Sequence, residues 1–214
     1  MDTKRTYLDY MDKTYLEELN YKIWSTKGAR FQAHQRLSRT ARLSMISSSL
    51  LNAYLIVAGL LSVYNIYNES AVSDNLMAYV ITSLSILLLV FTQVEGSKRY
   101  EVRAKEFHDC ALALSRLYDQ LRIFKTPKTN TSEKEKISFA EQLTDKYEDI
   151  LARTDNHHAN DFNLFRTKKP DYHLLKPRQV WLIKARSYFT SYFFYHLLIG
   201  SPVVVGMVVW VWEV

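Results

Sequence analysis

Two apolar stretches, residues 43–66 and 76–94, contain no Asp, Glu, Lys or Arg and are separated by a short polar loop. Each comes close to the roughly 20 residues an α-helix needs to cross about 30 Å of hydrocarbon, so the pattern predicts a transmembrane hairpin. Ahead of it, Leu16, Leu19, Ile23, Trp24, Phe31, Leu37 and Ala41 recur at helical spacing. Nothing between Ala29 and Leu43 breaks a helix, and Gly28 is the only weak point, so a helix is expected to run from about Thr14 straight into the membrane. After Gly96, the positions Tyr100, Ala104, Phe107, Ala111, Leu114, Tyr118 and Leu121 alternate spacings of four and three. That is a coiled-coil-like seam, expected to continue the second span with little or no interruption and to pack on the first extension.

Pro127 ends this helix, 126–131 is a polar link, and Ser132 with Glu135 forms a capping box that opens another helix. Its expected apolar stripe is Ile137, Ala140, Thr144, Tyr147 and Leu151. Residues 155–171 mix polar and aromatic side chains without clear periodicity, and Pro170 and Pro177 bracket a further link. The run 188–212 again lacks Asp, Glu, Lys and Arg and is long enough to span. Pro202, Gly200 and Gly206 leave a re-entrant or surface-lying segment as the alternative to a full crossing. The expected fold class is an all-α integral membrane protein, with a transmembrane helical hairpin continuous with a cytoplasmic helical bundle and a third C-terminal membrane segment. Its parts are an N-terminal cytoplasmic helix (1–42), the hairpin (43–94), a cytoplasmic helical domain (95–187) and the third segment (188–212).

Composition alone points elsewhere, since 48% hydrophobic residues and a mean hydropathy of -0.19 describe an ordinary soluble domain. The average hides segregation between apolar spans and charged flanks. Arg30, Arg36, Arg39 and Arg42 precede the hairpin and Lys98, Arg99, Arg103 and Lys105 follow it, whereas the loop carries Glu69 and Asp74 and no cation. The positive-inside bias puts both flanks in the cytoplasm. Residues 1–13 alternate charged and aromatic side chains without a cleavable signal, so the first span is expected to act as its own targeting signal. Lys176, Arg178, Lys184 and Arg186 hold the start of the third segment inside, and a full crossing would place Glu213 outside. The net charge of +6 then serves topology and attraction to anionic lipid. The single cysteine, Cys110, allows no intrachain disulfide and reads as a packing residue.

Candidate chemistry is sparse. Ser44, Ser48, Asn52, Gly59 and Ser62 share one face of the first span, and Thr82, Ser85 and Thr92 one face of the second. Such stripes either let helices approach and hydrogen-bond across the membrane or, in an oligomer, line a water-filled path. Spacing does not separate the two. Asn156, His157 and Asp161 belong to the densest histidine and carboxylate tract, but too few of its side chains share a face to hold a metal, which favours a structural polar cluster. His34, His108 and His173 read as helix or interface residues and not as acid–base groups, while His196, ionisable within the third apolar run, is suspect on energetic grounds. There is no phosphate loop, nucleophile elbow or HExxH pair, so neither an enzyme nor a cofactor is expected.

The ordered set of Trp24-Ser25-Thr26-Lys27 and Arg30-Phe31-Gln32-Ala33, then Tyr100, Arg103 through Cys110, Leu114, Leu117-Tyr118 and Leu121, resembles the SLATT family, the SMODS- and SLOG-associating two-transmembrane effectors. Tyr147, Ile150-Leu151, Asn156-His157 and Asp161-Phe162 are similar to the distal motif of its fifth subfamily. The resemblance implies a bacterial defence effector that disrupts the inner membrane of an infected cell once a partner signals. It also implies a trigger delivered in trans, as a nucleotide or by a protein or nucleoprotein partner such as a reverse transcriptase with its RNA or DNA. Two or three spans are too few to enclose a pore, so conduction would require a homo-oligomer in the lipid bilayer. A membrane-anchored scaffold and a nucleic-acid-binding adaptor remain the alternatives.

Overall fold

Helix α1 (Tyr15–Tyr64) carries the chain from the polar N-terminal sequence through the whole first apolar stretch. The computed structural model describes residues 6–10, 13–64, 74–126 and 132–213. The proposed external loop with Glu69 and the link after Pro127 therefore lie outside the described residues. Six further helices follow: α2 (Asp74–Ser97), α3 (Tyr100–Lys125), α4 (Glu133–Ala152), α5 (Ala159–Arg166), α6 (Pro177–Ser191) and α7 (Phe193–Glu213). The fold is all-helical, with no strand among the described residues.

Two compact units share this chain. One comprises Met1–Ser38 and Glu101–Tyr188, the other Arg39–Tyr100 and Phe189–Val214, and α1 contributes to both. In the first unit Leu19 and Ile23 pack with Cys110, Leu114, Leu117, Leu121, Leu143 and Tyr147. The heptad seam of α3 is buried as expected at Ala104, Phe107, Ala111, Leu114 and Leu121, widened by Cys110 and Leu117. A fully buried Leu is worth about 1.5–3 kcal/mol, so this cluster dominates the unit's stability. Helix α4 begins at the Ser132–Glu135 capping box, whose reciprocal bonds measure 3.3 and 2.9 Å. Its buried face holds Ala140 and Tyr147 of the expected stripe with Leu151 packed alongside, adds Leu143, and leaves Ile137 59% exposed on an open groove beside Leu16 and Phe124. The three-then-four spacing from 140 to 147 selects Leu143, and Ile137 falls on the rim.

Three features refine the expected elements. The second apolar helix runs on into α3 with an interruption of only two residues. Lys98 and Arg99 close α2 with tight bonds to Glu95 and Gly96 carbonyls, and Arg99 takes a left-handed φ of 48°. The tract 155–171 is not irregular throughout, since α5 forms within it behind an N-cap at His158, a residue type that announces a helix start weakly. Its Phe165 lies so close to α1 that a Cβ at Gly28 would sit 2.1 Å from the ring, so the helix's weakest former is a required gap. Finally, the uncharged run 188–212 is divided, its first residues ending α6 and the rest forming α7.

The second unit is apolar outside. Of the most apolar window in each of the two spanning-length helices, only 6% is buried, which is the reverse of a soluble core helix. Ile56, Val57, Leu60 and Val63 on α1 and Leu84, Ile86, Leu87, Leu89 and Val90 on α2 all face outward. Helix α7 continues through Pro202. Proline removes the donor for the Leu198 carbonyl, and one residue on the Ile199 carbonyl accepts from the Tyr54 hydroxyl of α1 at 3.4 Å. Phe91 of α2 and Phe194 of α7 pack with ring centroids 6.2 Å apart.

Candidate functional site

At one end of the apolar helices, α1, α2 and α7 meet on a single carboxylate. Glu95, 6% exposed, is the only acidic residue between Asp74 and Glu101. Its Oε2 accepts from Ser44 Oγ of α1 at 2.8 Å and from the Tyr195 hydroxyl of α7 at 2.7 Å, while Oε1 pairs with Lys98 Nζ. Tyr195 also meets the Tyr100 hydroxyl at 3.2 Å, and the buried Ser47 bonds back to the Ser44 carbonyl at 2.9 Å. Nearby, the Arg39 guanidinium lies 4.7 Å from the Tyr192 ring. Charge-assisted hydrogen bonds are roughly twice as strong as neutral ones, so this junction ties α1, α2 and α7 more firmly than neutral pairs would.

The polar residues picked out on the spans are placed differently from one another. Ser44 is buried in the Glu95 junction. Asn52, Thr82 and Ser85 are exposed, and each side chain donates to the carbonyl four residues earlier on its own helix at 2.8 Å. Thr92 does likewise toward Leu88. Ser48 and Ser62 are half-buried, and a Cβ at Gly59 would meet open space. Within one chain Ser44 is a helix contact, whereas Asn52, Thr82 and Ser85 face outward. The Thr82, Ser85 and Thr92 hydroxyls and one N–H of the Asn52 amide bond within their own helices, which lowers the cost of facing lipid, a second copy or water. His196 is half-buried one residue past Tyr195.

The first unit has its own buried polar centre. Asp161, fully buried at the start of α5, accepts from Arg36 Nε at 2.7 Å and Arg36 Nη2 at 2.9 Å, and closes the cap by accepting from the His158 amide at 3.0 Å. Arg30, 1% exposed, donates through Nη1 to the Asp155 carbonyl and lies 5.2 Å from the Phe107 ring. Burial, and then the Arg30 charge, holds the His157 imidazole below its usual range. Asn156 is exposed. Among the described residues no three His, Cys, Asp or Glu side chains converge as metal ligands, and the geometry is that of an ion pair and a helix cap. His34 Nδ1 donates to the Ala104 carbonyl at 2.9 Å, and its ring lies tilted against His108 with centroids 4.6 Å apart.

Glu95 was the residue sequence patterning passed over. It ends an apolar run and precedes Lys98, so it reads as an ordinary membrane-boundary charge. The signal that marks it is its isolation, because no other carboxylate lies near that boundary to share its role.

An all-helical chain with two outward-facing helices long and apolar enough to cross a membrane, tied at a buried carboxylate and joined to a polar helical unit, has the build of a two-span membrane protein. The sequence profile of the SMODS and SLOG-associating 2TM effector domain family 5 matches residues 12–209, and the chain belongs to that family. The resemblance carried by the Trp24, Arg30, Arg103–Cys110 and Asn156–Phe162 segments is thereby established, and with it the class of defence-associated membrane effector. No curated protein and no solved structure matches the chain.

Proposed function

We propose that this protein is a bacterial antiphage effector of the abortive-infection type, which self-associates and permeabilises or depolarises the inner membrane when a partner signals. The observation that carries the reading is the match to a two-transmembrane effector domain over a chain whose two apolar helices leave nearly all of their apolar surface unburied. Two spans, or three if α7 crosses, cannot enclose an aqueous path, so permeation is a property of an assembly. In it the faces bearing Ser48, Asn52, Thr82 and Ser85 meet neighbouring copies or water, and the basic flanks keep the N-terminus and the first unit in the cytoplasm. The trigger arrives in trans from a nucleotide signal or from a reverse transcriptase complex. The role assigned is mechanical, with no bond made or broken.

The test is membrane potential in cells expressing the chain with and without its genomic neighbours. Triggered wild type should depolarise, and Asn52→Leu should remain polarised at equal expression. Triggered growth arrest with membrane potential intact would sink the permeation reading.

A further inference from the structure

The first unit holds an open pocket of about 430 Å³, within the range of small-ligand sites, between the N-terminal turn, α1, α3 and the turn after α5. One wall is aromatic. Tyr10 stacks on Tyr21 with centroids 4.3 Å apart and planes 9° from parallel, and Trp24 lies 6.0 Å from Tyr21 and 5.5 Å, edge-on, from Tyr172. Lysines supply the remaining character. Of the lining acids, Asp9 accepts from the Thr6 amide and hydroxyl at 2.9 and 3.1 Å, and Glu17 lies 4.0 Å from Lys125. Among the described residues no ion pair joins Lys13 or Lys169 to a carboxylate, and Lys169 rests 5.4 Å from the Trp24 ring.

Burial, with Tyr172 and Tyr10 alongside, pushes the Tyr21 hydroxyl up to about 12. Behind the wall, buried His173 stacks on Trp24 with both ring nitrogens unpartnered, a cost that a phenyl ring there would avoid. Aromatic faces reward a flat base by about 1–3 kcal/mol per stacked base, and ammonium groups reward phosphate oxygens through charge-assisted hydrogen bonds. A bare anion leaves the rings unused, and a neutral aromatic leaves the lysines unused.

We propose that this pocket binds a nucleotide unit, with its base against the Tyr10, Tyr21 and Tyr172 rings and its phosphates on Lys13 and Lys169. The site belongs to the helical unit alone. Only the extension that filling it forms part of the trigger rests on the effector reading above.

The test uses the full chain in detergent micelles with the common ribonucleoside diphosphates carrying a methylanthraniloyl fluorophore, read by anisotropy. At least one should bind with a Kd below ~1 mM. Lys13→Glu and Lys169→Glu should each weaken binding about tenfold, while Lys136→Glu, in the groove beside Ile137, should leave it unchanged. Lys13 is exposed, so its variant is expected to fold even if Lys169→Glu does not, and circular dichroism verifies this. Homopolymer strands of about ten nucleotides, as competitors, distinguish the source. Stronger competition than the diphosphate assigns a single strand, and equal or weaker competition a free nucleotide, both preserving the site. Absence of binding by every diphosphate at ~1 mM, equal loss in Lys136→Glu, or pyrophosphate competing as well as the diphosphate would overturn it. Nucleotide binding by a chain that never depolarises cells would leave the site standing and remove the effector reading, so the two failures are distinguishable.

Discussion

His173 shows how a single side chain in this protein trades stability for something else. It is 2% exposed among Trp24, Phe165, Tyr172 and Tyr7, and burial, with the Arg166 and Lys169 charges, lowers its imidazole to about 4. The folded state therefore binds fewer protons than the unfolded chain between that value and the ordinary histidine range near 6.5. Its contribution is fully present above about pH 6.5 and is lost as pH falls toward 4. His173→Phe should remove that slope and, by eliminating two unpartnered nitrogens, raise the melting temperature at pH 5 relative to wild type by several degrees, about 1–3 kcal/mol. Thermal unfolding of both proteins across pH 4–7.5 checks this, and parallel curves would sink the assignment. None of it was legible in the sequence, where His173 stands alone between a tyrosine and a leucine. Gly28 is a similar case. Its weakness as a helix former is visible locally, but its reason is Phe165, far along the chain.

Among the helices, features set by neighbours in sequence were legible and those set across the fold were not. The α3 seam and the α4 capping box follow from spacings of three and four residues, and both formed. The junction on Glu95 joins partners 51 and 100 residues away, and nothing in local periodicity encodes that Ser44, Glu95 and Tyr195 converge. The break at Arg99 was hidden too, because arginine carries no sequence mark of a left-handed conformation. The junction makes a quantitative prediction. A hydrogen bond to a charged group contributes about 1.5–3 kcal/mol, so Tyr195→Phe should destabilise the detergent-solubilised protein by that amount. In a Glu95→Gln background the same change should cost about 1 kcal/mol or less, the value for a neutral pair. Equal losses in both backgrounds would show that Tyr195 acts by packing alone.

For the whole molecule the decisive quantity is which surfaces meet water, and here charge distribution and helix composition make the same demand. Cations crowd the chain before 43, after 97 and around 176–186, while the connection after the first span has Glu69 and Asp74 and no Lys or Arg. Moving those cations across a bilayer would cost far more than moving the loop, since orientation follows the Lys and Arg bias of short flanking segments. A reporter fused near Ser73 should therefore be active outside the cytoplasm, and one near Thr129 inside. The C-terminus tests α7. Its mean apolarity favours entry into hydrocarbon, and the Tyr54 hydroxyl of α1 ties it at the Ile199 carbonyl beside the Pro202 turn. A full crossing places a reporter fused after Val214 outside, together with the Ser73 fusion. An internal C-terminal reporter beside an external Ser73 reporter would make α7 a re-entrant or surface-lying helix, anchored through Tyr195 and contributing no third wall to a pore. Reversal of the Ser73 and Thr129 signals would place Lys13 and Lys169 outside the cell and so remove both the cytoplasmic trigger and the biological access of the proposed nucleotide site.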